Sequence, residues 1–342
     1  MRNFFAQLSN YKRRMEETTT PPNTDENISA QIKPGRRWQV LNTMYEKQFV
    51  LPLLLAAAIF LLPTYVQAET PTVAPTTNPA EEPPDEAEVF FRREKEVDVP
   101  IIMYHLVTDN KRHIGKWGIT PADLRADLEY LKENGYNTVV IEDLIDFVEK
   151  GKKLPENPIV LTFDDGNTSD YTYLYPLLQE FDMKAVICIM GASTDKFTNE
   201  QTKNPKAKHP HMTWEQVKEL HESGHFEVQS HGYDVHGRSG AGKHLRESAE
   251  AYHQRLLADL QKMQDLCEEH LGVRPSTFCY PLGVISKGSH EVLVELGFVA
   301  SLSCQEGMNT LKRGEMDCLV KLNRVNRANG RPIGGILEEL KK

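Results

Sequence analysis

Short apolar runs alternate with amphipathic segments from about residue 97 onward. The runs are rich in β-branched residues and have the length of buried strands. They include VPIIMYH (99–105), PIVLTF (158–163), AVICIM (185–190), FEVQSH (226–231) and STFCYP (276–281). The segments between them carry helix signals, such as Thr120 at an N-cap, Pro121 at the first helical position and Gly135 as a stop.

This alternation predicts an α/β fold. Strands that are apolar on both faces need helices on both sides, and repeated strand–helix units form a parallel sheet. Residues 97–342 hold about seven or eight such units, which favours a distorted (β/α) barrel of about seven or eight parallel strands over an open doubly wound sheet. No G-x-G-x-x-G motif follows a predicted strand, so the sequence disfavours a dinucleotide-binding domain.

A different pattern marks residues 49–66. This run, FVLPLLLAAAIFLLPTYV, has 18 residues without a charge, the lower limit for a helix that spans a bilayer. Two interpretations remain open: an uncleaved signal anchor that holds the protein at the membrane, or the core of a signal peptide with a cleavage point at Ala68. A start at Met44 instead of Met1 would give a secretory signal of ordinary proportions. Both interpretations predict an extracellular protein, either membrane-anchored or secreted.

The regions around that run complete the expected domain organisation. Residues 1–48 carry more Lys and Arg than Asp and Glu, which favours a cytoplasmic N-terminus if the apolar run is retained. Residues 69–96 are rich in Pro, Thr and acid, typical of an extended linker. We therefore expect a cytoplasmic or cleaved segment (1–48), a signal anchor or signal peptide (49–68), a linker (69–96) and one folded domain (97–342).

Composition excludes several classes of function. The 342 residues are 39% hydrophobic and 26% charged, which excludes a wholly disordered or fibrous protein. The net charge of −9 comes without the basic footprint of a nucleic-acid binder, so no nucleic-acid partner is expected. The five cysteines lack C-x-x-C spacing and are too scattered for a disulfide framework. We expect most of them to be small buried hydrophobes, with at least one free thiol in an unpaired chain.

Polar residues gather where predicted strands end, which is where barrel folds place their catalytic groups. Asp164, Asp165 and Gly166 directly follow the run 158–163. Neighbouring side chains on a strand point to opposite sides, so one carboxylate can bind a metal while the other stays free as a base. On the two carboxylates alone, a solvated turn or a helix N-cap is an equally good explanation.

His231 and His236 follow another predicted strand. Their five-residue spacing would separate them on a helix, but at a strand end that continues into a loop both can face one point. With a carboxylate from a second strand end, they are best explained as metal ligands that leave coordination positions open. This ligand set suits zinc and also non-haem iron. His105, at the end of the first run, is either a core histidine bonded to backbone or a general acid.

The ordered motifs MYH (103–105), TFDDG (162–166), SHGYDVH (230–236) and FCYPLG (278–283) resemble those of the polysaccharide deacetylase (NodB-homology) family, carbohydrate esterase family four. The resemblance covers about residues 97–326. The five-residue histidine spacing and the early MYH are similar to the branch that contains poly-N-acetylglucosamine deacetylases.

The resemblance implies a role for each matched residue. Asp164 would be the general base, His105 the proton donor, and Tyr280 the residue whose backbone N–H helps to hold the oxyanion. The ligands of a divalent metal, most often zinc in such enzymes, would be Asp165, His231 and His236. The implied reaction is the removal of N-acetyl groups from an extracellular N-acetylglucosamine polymer of a cell wall or matrix.

Departures from the family pattern keep other functions open. Cys279 stands where many members have Arg, Leu282 replaces a Tyr, and the nearest match to a late L-x-x-H-D motif is LNRV (322–325). The alternatives are an O-acetyl xylan esterase that uses the same site and an inactive surface glycan-binding module.

Trp117 and Trp214 are candidates either for stacking on sugar rings or for core packing, and His211 is expected to be exposed in a polar loop.

Overall fold

The structure, a computed structural model, describes residues 95–199 and 210–342, and within them strands and helices alternate as predicted. The strands are β1 (Glu96–Val99), β2 (Ile101–Tyr104), β3 (Leu106–Val107), β4 (Gly118–Ile119), β5 (Asn137–Thr138), β6 (Pro158–Asp165), β7 (Ala185–Ile189), β8 (Phe226–Ser230), β9 (Thr277–Cys279), β10 (Ala300–Leu302), β11 (Asn309–Lys312) and β12 (Val325–Asn326). The α-helices are α1 (Pro121–Glu133), α2 (Ile141–Lys150), α3 (Tyr175–Phe181), α4 (Gly191–Asn199), α5 (Trp214–Glu222), α6 (Ala249–Leu271), α7 (Ser289–Glu295) and α8 (Ile333–Leu340). A π-helical turn (Asp170–Leu174) precedes α3, and short 3-10 turns follow β9 (Pro281–Gly283) and β11 (Met316–Leu319).

Eight of these strands form one curled sheet. Its order is β10-β9-β8-β7-β6-β2-β12, with β5 paired to the start of β6, and every pairing within it is parallel. A parallel bridge between Leu302 and Leu322 links β10 to the segment that leads into β12, so the sheet bends round toward closure. The predicted distorted (β/α) barrel is therefore confirmed.

Alternation along β6 decides which side chains enter the barrel. Ile159, Leu161 and Phe163 pack in a cluster with the apolar faces of α1, α3 and α5. Val160 points to the other side, where it packs with residues of β7, β9 and α2. Because side chains alternate, Asp164 shares the side of Val160 and is directed into the barrel at the carboxyl end of the strand.

The helix signals at the start of α1 act as expected. The Thr120 hydroxyl accepts the Asp123 N–H at 3.0 Å, and the Asp123 carboxylate accepts the Thr120 N–H at 3.1 Å. This reciprocal pair is a capping box, with Pro121 at the first helical position. The chain leaves the helix before Gly135, whose φ of 69° suits glycine.

Several elements differ from the sequence prediction. The long helix α6 begins at Ala249 rather than near residue 244, because the Ser248 hydroxyl caps it by accepting the Ala251 N–H. The predicted strand over 319–325 is reduced to β12, since residues 316–319 form a turn. Helices α4 and α8 were not predicted, and β1 pairs with β11 in a separate antiparallel sheet.

The cysteines correct one expectation. Cys188 on β7 and Cys279 on β9 are joined by a disulfide, and both residues are fully buried. They lie 91 residues apart in sequence, so only the order of the strands reveals the pairing. Cys267, Cys304 and Cys318 are free, which agrees with the expectation of at least one free thiol.

Part of the predicted domain organisation falls outside the described residues. The N-terminal segment (1–48), the signal anchor or signal peptide (49–68) and nearly all of the linker (69–96) belong to that part of the chain. In residues 95–199 and 210–342, no helix combines the length and apolar character needed to cross a membrane.

Candidate metal and catalytic site

The carboxyl ends of β6 and β8 bring the predicted acidic and histidine residues to one point. Asp165 Oδ1 lies 3.3 Å from His236 Nε2 and 3.7 Å from His231 Nε2. His231 directly follows β8, and His236 approaches from the loop beyond it, so that the two ring centres are 5.2 Å apart. One ligand atom from each of the three residues lies within 4.8 Å of the others. The predicted convergence of these three side chains is therefore present.

The backbone of Asp165 is held in an unusual conformation. Its φ is 76°, a left-handed value that is uncommon for a residue other than glycine. The segment that enters α5 stabilises it: His211 Nδ1 donates to the Asp165 carbonyl at 2.9 Å, and the Met212 N–H donates to the Gly166 carbonyl at 3.0 Å. His211 is half-buried here and not the exposed loop residue expected from sequence.

The residues present fit a divalent cation. His231 Nδ1 lies 2.9 Å from the Cys279 carbonyl, which can only accept, so Nδ1 carries the proton and Nε2 presents its lone pair toward Asp165. Asp165 Oδ1 is buried and has no well-aligned hydrogen-bond donor within the described residues. A buried carboxylate oxygen without a donor, beside two imidazole nitrogens, is the donor set of a metal centre with open positions.

The charges of the site are strongly coupled. Burial opposes ionisation of Asp165, but the close His236 and His231 rings lower its pKa. In return, the close carboxylate of Asp165 raises the pKa of His236. Burial lowers the pKa of His231, which favours the neutral ring that a metal ligand requires.

Arg324 lies directly against the second carboxylate, Asp164. Its Nη1 and Nη2 donate to Asp164 Oδ1 and Oδ2 at 2.7 and 2.9 Å, and both side chains are buried. Burial alone would raise the pKa of Asp164, but Arg324 and His231 outweigh it and lower the pKa. Asp164 also lies near the sulfurs of Cys188 and Cys279, but these are bonded to each other, so this group offers no thiolate to a cation.

His105 lies at the same end of the barrel. Its Nε2 is 4.0 Å from Asp164 Oδ2, and its ring centre is 4.6 Å from that of Trp117. Its Nδ1 has no hydrogen-bond partner within the described residues, so the alternative of a core histidine bonded to backbone is not supported. Trp117 is 47% exposed, whereas Trp214 is buried and stacks on His270, so only Trp117 remains a candidate for contact with a sugar ring.

Both polar groups of Tyr280 are engaged in hydrogen bonds away from its predicted role. Its backbone N–H donates to the Leu302 carbonyl at 3.0 Å, in continuation of the pairing between β9 and β10. The side chain is fully buried, and its hydroxyl lies 3.0 Å from Ser289 Oγ. Because both groups already have partners, these contacts give no support to the predicted role of Tyr280 in holding an oxyanion, which stays a prediction.

Arg324 is the functional candidate that sequence reasoning missed. It belongs to LNRV (322–325), the segment noted as the nearest match to an absent late motif, but its partner Asp164 is 160 residues away. The sequence shows only an arginine within a predicted strand, next to an apolar residue. It does not show which residue the arginine pairs with, because that depends on the order of the strands in the barrel.

Known proteins are similar to this chain in sequence and in fold. The sequence model of the polysaccharide deacetylase family matches residues 151–301, a range that contains both aspartates and both histidines. The poly-beta-1,6-N-acetyl-D-glucosamine N-deacetylase of Escherichia coli K12 is 30% identical over an alignment of 227 residues that covers 60% of this chain and 34% of that protein. The chain thus spans about a third of the length of that relative. The YxkH protein of Bacillus subtilis is 25% identical over 258 residues, 75% of this chain and 82% of its own length.

A solved structure agrees with the sequence match. A de-N-acetylase from Aggregatibacter actinomycetemcomitans superposes with a TM-score of 0.61 and 25% identity, over 71% of this chain and 99% of that chain. The two aspartates and the histidine pair thus lie within the range of sequence similarity. Residues 151–301 of the chain thus match the polysaccharide deacetylase family.

Proposed function

We propose that the protein is a metal-dependent hydrolase that removes N-acetyl groups from an extracellular N-acetylglucosamine polymer. The observation that carries the proposal is the convergence of Asp165, His231 and His236 within 4.8 Å, beside the separate carboxylate of Asp164. The name of the Escherichia coli relative, a poly-beta-1,6-N-acetyl-D-glucosamine N-deacetylase, supports this class of substrate. The apolar run 49–66 supports export, with the domain either secreted or anchored at the membrane.

Asp165, His231 and His236 would hold the divalent cation. Zinc is the expected ion because two imidazoles and one carboxylate are a common catalytic zinc set that leaves room for substrate and water. When bound, the ion would supply Lewis-acid polarisation of the acetamide carbonyl.

Asp164 acts as the general base. Its lowered pKa keeps it ionised at neutral pH, and the two hydrogen bonds from Arg324 fix both carboxylate oxygens. It removes a proton from the water that attacks the acetamide carbon. Arg324 thereby fills the place left by Cys279, where many family members have Arg, and this removes the main reason to expect an inactive module.

His105 delivers the proton to the leaving group. Burial lowers its pKa, so the neutral ring is favoured before the reaction starts. Its Nε2 lies 4.0 Å from Asp164 Oδ2, longer than a direct hydrogen bond, so the proton taken up by Asp164 would reach His105 through one bridging water before it passes to the leaving nitrogen. As the C–N bond breaks, the nitrogen takes this proton, and the products are acetate and a free glucosamine unit.

The test is acetate release by the purified protein from poly-β-1,6-N-acetylglucosamine, with acetylated xylan as the comparison substrate. We expect release from the first polymer that is lost with EDTA and restored by zinc. Asp164→Asn should abolish turnover and retain the metal, whereas His231→Ala should lose both. His253→Ala, at a partly exposed pair with Glu295 on the surface of α6, is the control that should change neither.

Other results would reject parts of the proposal. Release from xylan alone would make the protein an O-acetyl esterase. Metal binding without release from either polymer would favour the glycan-binding module. Equal metal loss in Asp164→Asn and His231→Ala would show that the roles of the two aspartates are wrongly divided.

A further inference from the structure

We propose that Asp259, on α6, is a positioning residue that presets the loop between His231 and His236 for metal binding. The inference rests on the proposed function, because it takes these two histidines as ligands of the cation. It adds a residue outside the site, whose side chain contacts neither histidine ring but holds the backbone that connects them.

The carboxylate of Asp259 binds two consecutive amides of this loop. Oδ1 accepts the Tyr233 N–H and Oδ2 accepts the Asp234 N–H, each at 2.8 Å. Hydrogen bonds from backbone N–H groups to an ionised carboxylate are shorter and stronger than neutral ones. Both bonds go to residues among the four that separate the two histidines. The single side chain of Asp259, on α6, therefore fixes the middle of this loop.

The same loop is fixed from its opposite side by the start of α4. The Gly191 N–H donates to the Gly232 carbonyl at 3.1 Å, and the Ala192 N–H donates to the Tyr233 carbonyl at 2.8 Å. A Cβ at Gly191 would lie 2.7 Å from the ring of Tyr233, so the glycine permits this close approach. The loop therefore has its amides bound by one helix and its carbonyls bound by another.

The conformation that results is tight. Gly232 has a φ of 85°, and a Cβ there would lie 2.3 Å from Val235 Cγ2 and 3.2 Å from Asp259 Oδ1. Val235 is buried in the cluster packed around α6, and His236 follows it directly. The direction of the His236 ring toward Asp165 is thus a consequence of how the preceding four residues are held.

The expected effect is on the affinity for the cation. Partners that orient metal ligands from outside the site typically contribute about 10- to 100-fold to metal affinity. Asp259→Asn keeps the size of the side chain but can accept only one of the two amides, so we expect the zinc Kd to rise about tenfold. Asp265→Asn is the matched control, because Asp265 lies on the same helix and pairs with Arg274 at an exposed position.

The experiment is a double-mutant cycle measured as the Kd for zinc alone, by competition with a chromophoric chelator on the full chain. Asp259→Asn and His236→Ala are made singly and together. If Asp259 acts through His236, its substitution should cost about tenfold in the wild-type background and much less once His236 is gone. A melting temperature measured in EDTA separates loss of affinity from loss of the fold. If Asp259→Asn melts far below the control, Asp259→Glu is carried through the same cycle.

The outcomes distinguish the inference from the proposed function. Failure of the wild type to bind zinc, or an unchanged Kd in His236→Ala, would reject the proposed metal site itself. A wild-type Kd in Asp259→Asn, with His236→Ala weakened, would overturn the inference and leave the proposed function standing. An equal cost of Asp259→Asn in both backgrounds would also overturn it, since the residue would then support the fold and not His236.

Discussion

Breaking the buried pair of Arg324 and Asp164 on one side only should strongly destabilise the domain. The side chain of Arg324 is 0% exposed and that of Asp164 is 2% exposed, so water cannot replace either partner. Arg324 Nη1 and Nη2 bind both oxygens of Asp164, and its Nε donates to the Ser303 carbonyl at 2.8 Å. Arg324→Met keeps most of the volume but leaves a carboxylate buried without its cation.

The size of the effect follows from this burial. Removing one partner of a buried ion pair costs about 3–5 kcal/mol, because the remaining charge stays desolvated. The unpaired Ser303 carbonyl adds about 1 kcal/mol. Against a total stability of about 5–15 kcal/mol for a domain, Arg324→Met should be close to unfolding. Adding Asp164→Asn removes the stranded charge and should recover about 2 kcal/mol or more of the loss.

Urea unfolding in EDTA, followed by circular dichroism, measures these differences without a contribution from bound metal. Arg331→Met is the matched control: it breaks exposed pairs with Glu306 and Glu339, each at 2.8 Å, and should cost less than about 1 kcal/mol. If Arg324→Met costs no more than Arg331→Met, or if the double variant is no more stable than Arg324→Met, the reasoning about the buried charge is refuted.

Three further predictions concern pH, the disulfide and substrate binding. Burial raises the pKa of Glu227 to about 7, so between about pH 4.5 and 7 the folded state keeps a proton that the unfolded state has lost. The unfolding free energy should therefore fall as pH rises through this window. Urea unfolding at a series of pH values should show that the unfolding free energy of Glu227→Gln depends less on pH than that of the wild type. An equal dependence in the two proteins would contradict this cause. The Cys188–Cys279 disulfide joins residues 91 apart, so a phosphine reductant should lower the unfolding free energy by about 2–4 kcal/mol. Thiol titration of the denatured, unreduced protein should find three thiols, and a count of five would rule the bond out. Trp117→Ala should raise the KM for the polymer several-fold without changing the melting temperature, and an unchanged KM would remove Trp117 from the substrate site.

Local sequence was enough to predict the elements that present the site. The run 158–163 is apolar on both faces and is followed by two aspartates, and the run 226–231 ends in a histidine. In each strand the polar residues therefore indicate which end lies at the catalytic site. Parallel pairing then places those ends on one rim, which is why the approach of Asp165 to His231 and His236 could be anticipated. The capping box of α1 was equally local, with all of its atoms inside four residues.

What sequence could not supply depends on contacts between distant strands. Whether the Tyr280 N–H is free depends on the pairing of β9 with β10, and the motif around it carries no information about that pairing. The left-handed φ of Asp165 is maintained by His211, which lies 46 residues away beside a different helix. The disulfide between Cys188 and Cys279 has the same origin, because it requires two strands that flank β8.

The departure at position 279 and the arginine at position 324 have one physical explanation. A carboxylate buried as deeply as Asp164 needs a cation within hydrogen-bond reach if it is to remain ionised. Arg324 Nη1 lies 3.9 Å from Cys279 Sγ and 2.7 Å from Asp164 Oδ1, so the guanidinium occupies the space next to residue 279. A long arginine side chain at 279 would compete for that space, whereas the small cysteine leaves it open. A cationic group is therefore required next to Asp164, and a side chain at either of two positions distant in sequence, 279 or 324, can supply it.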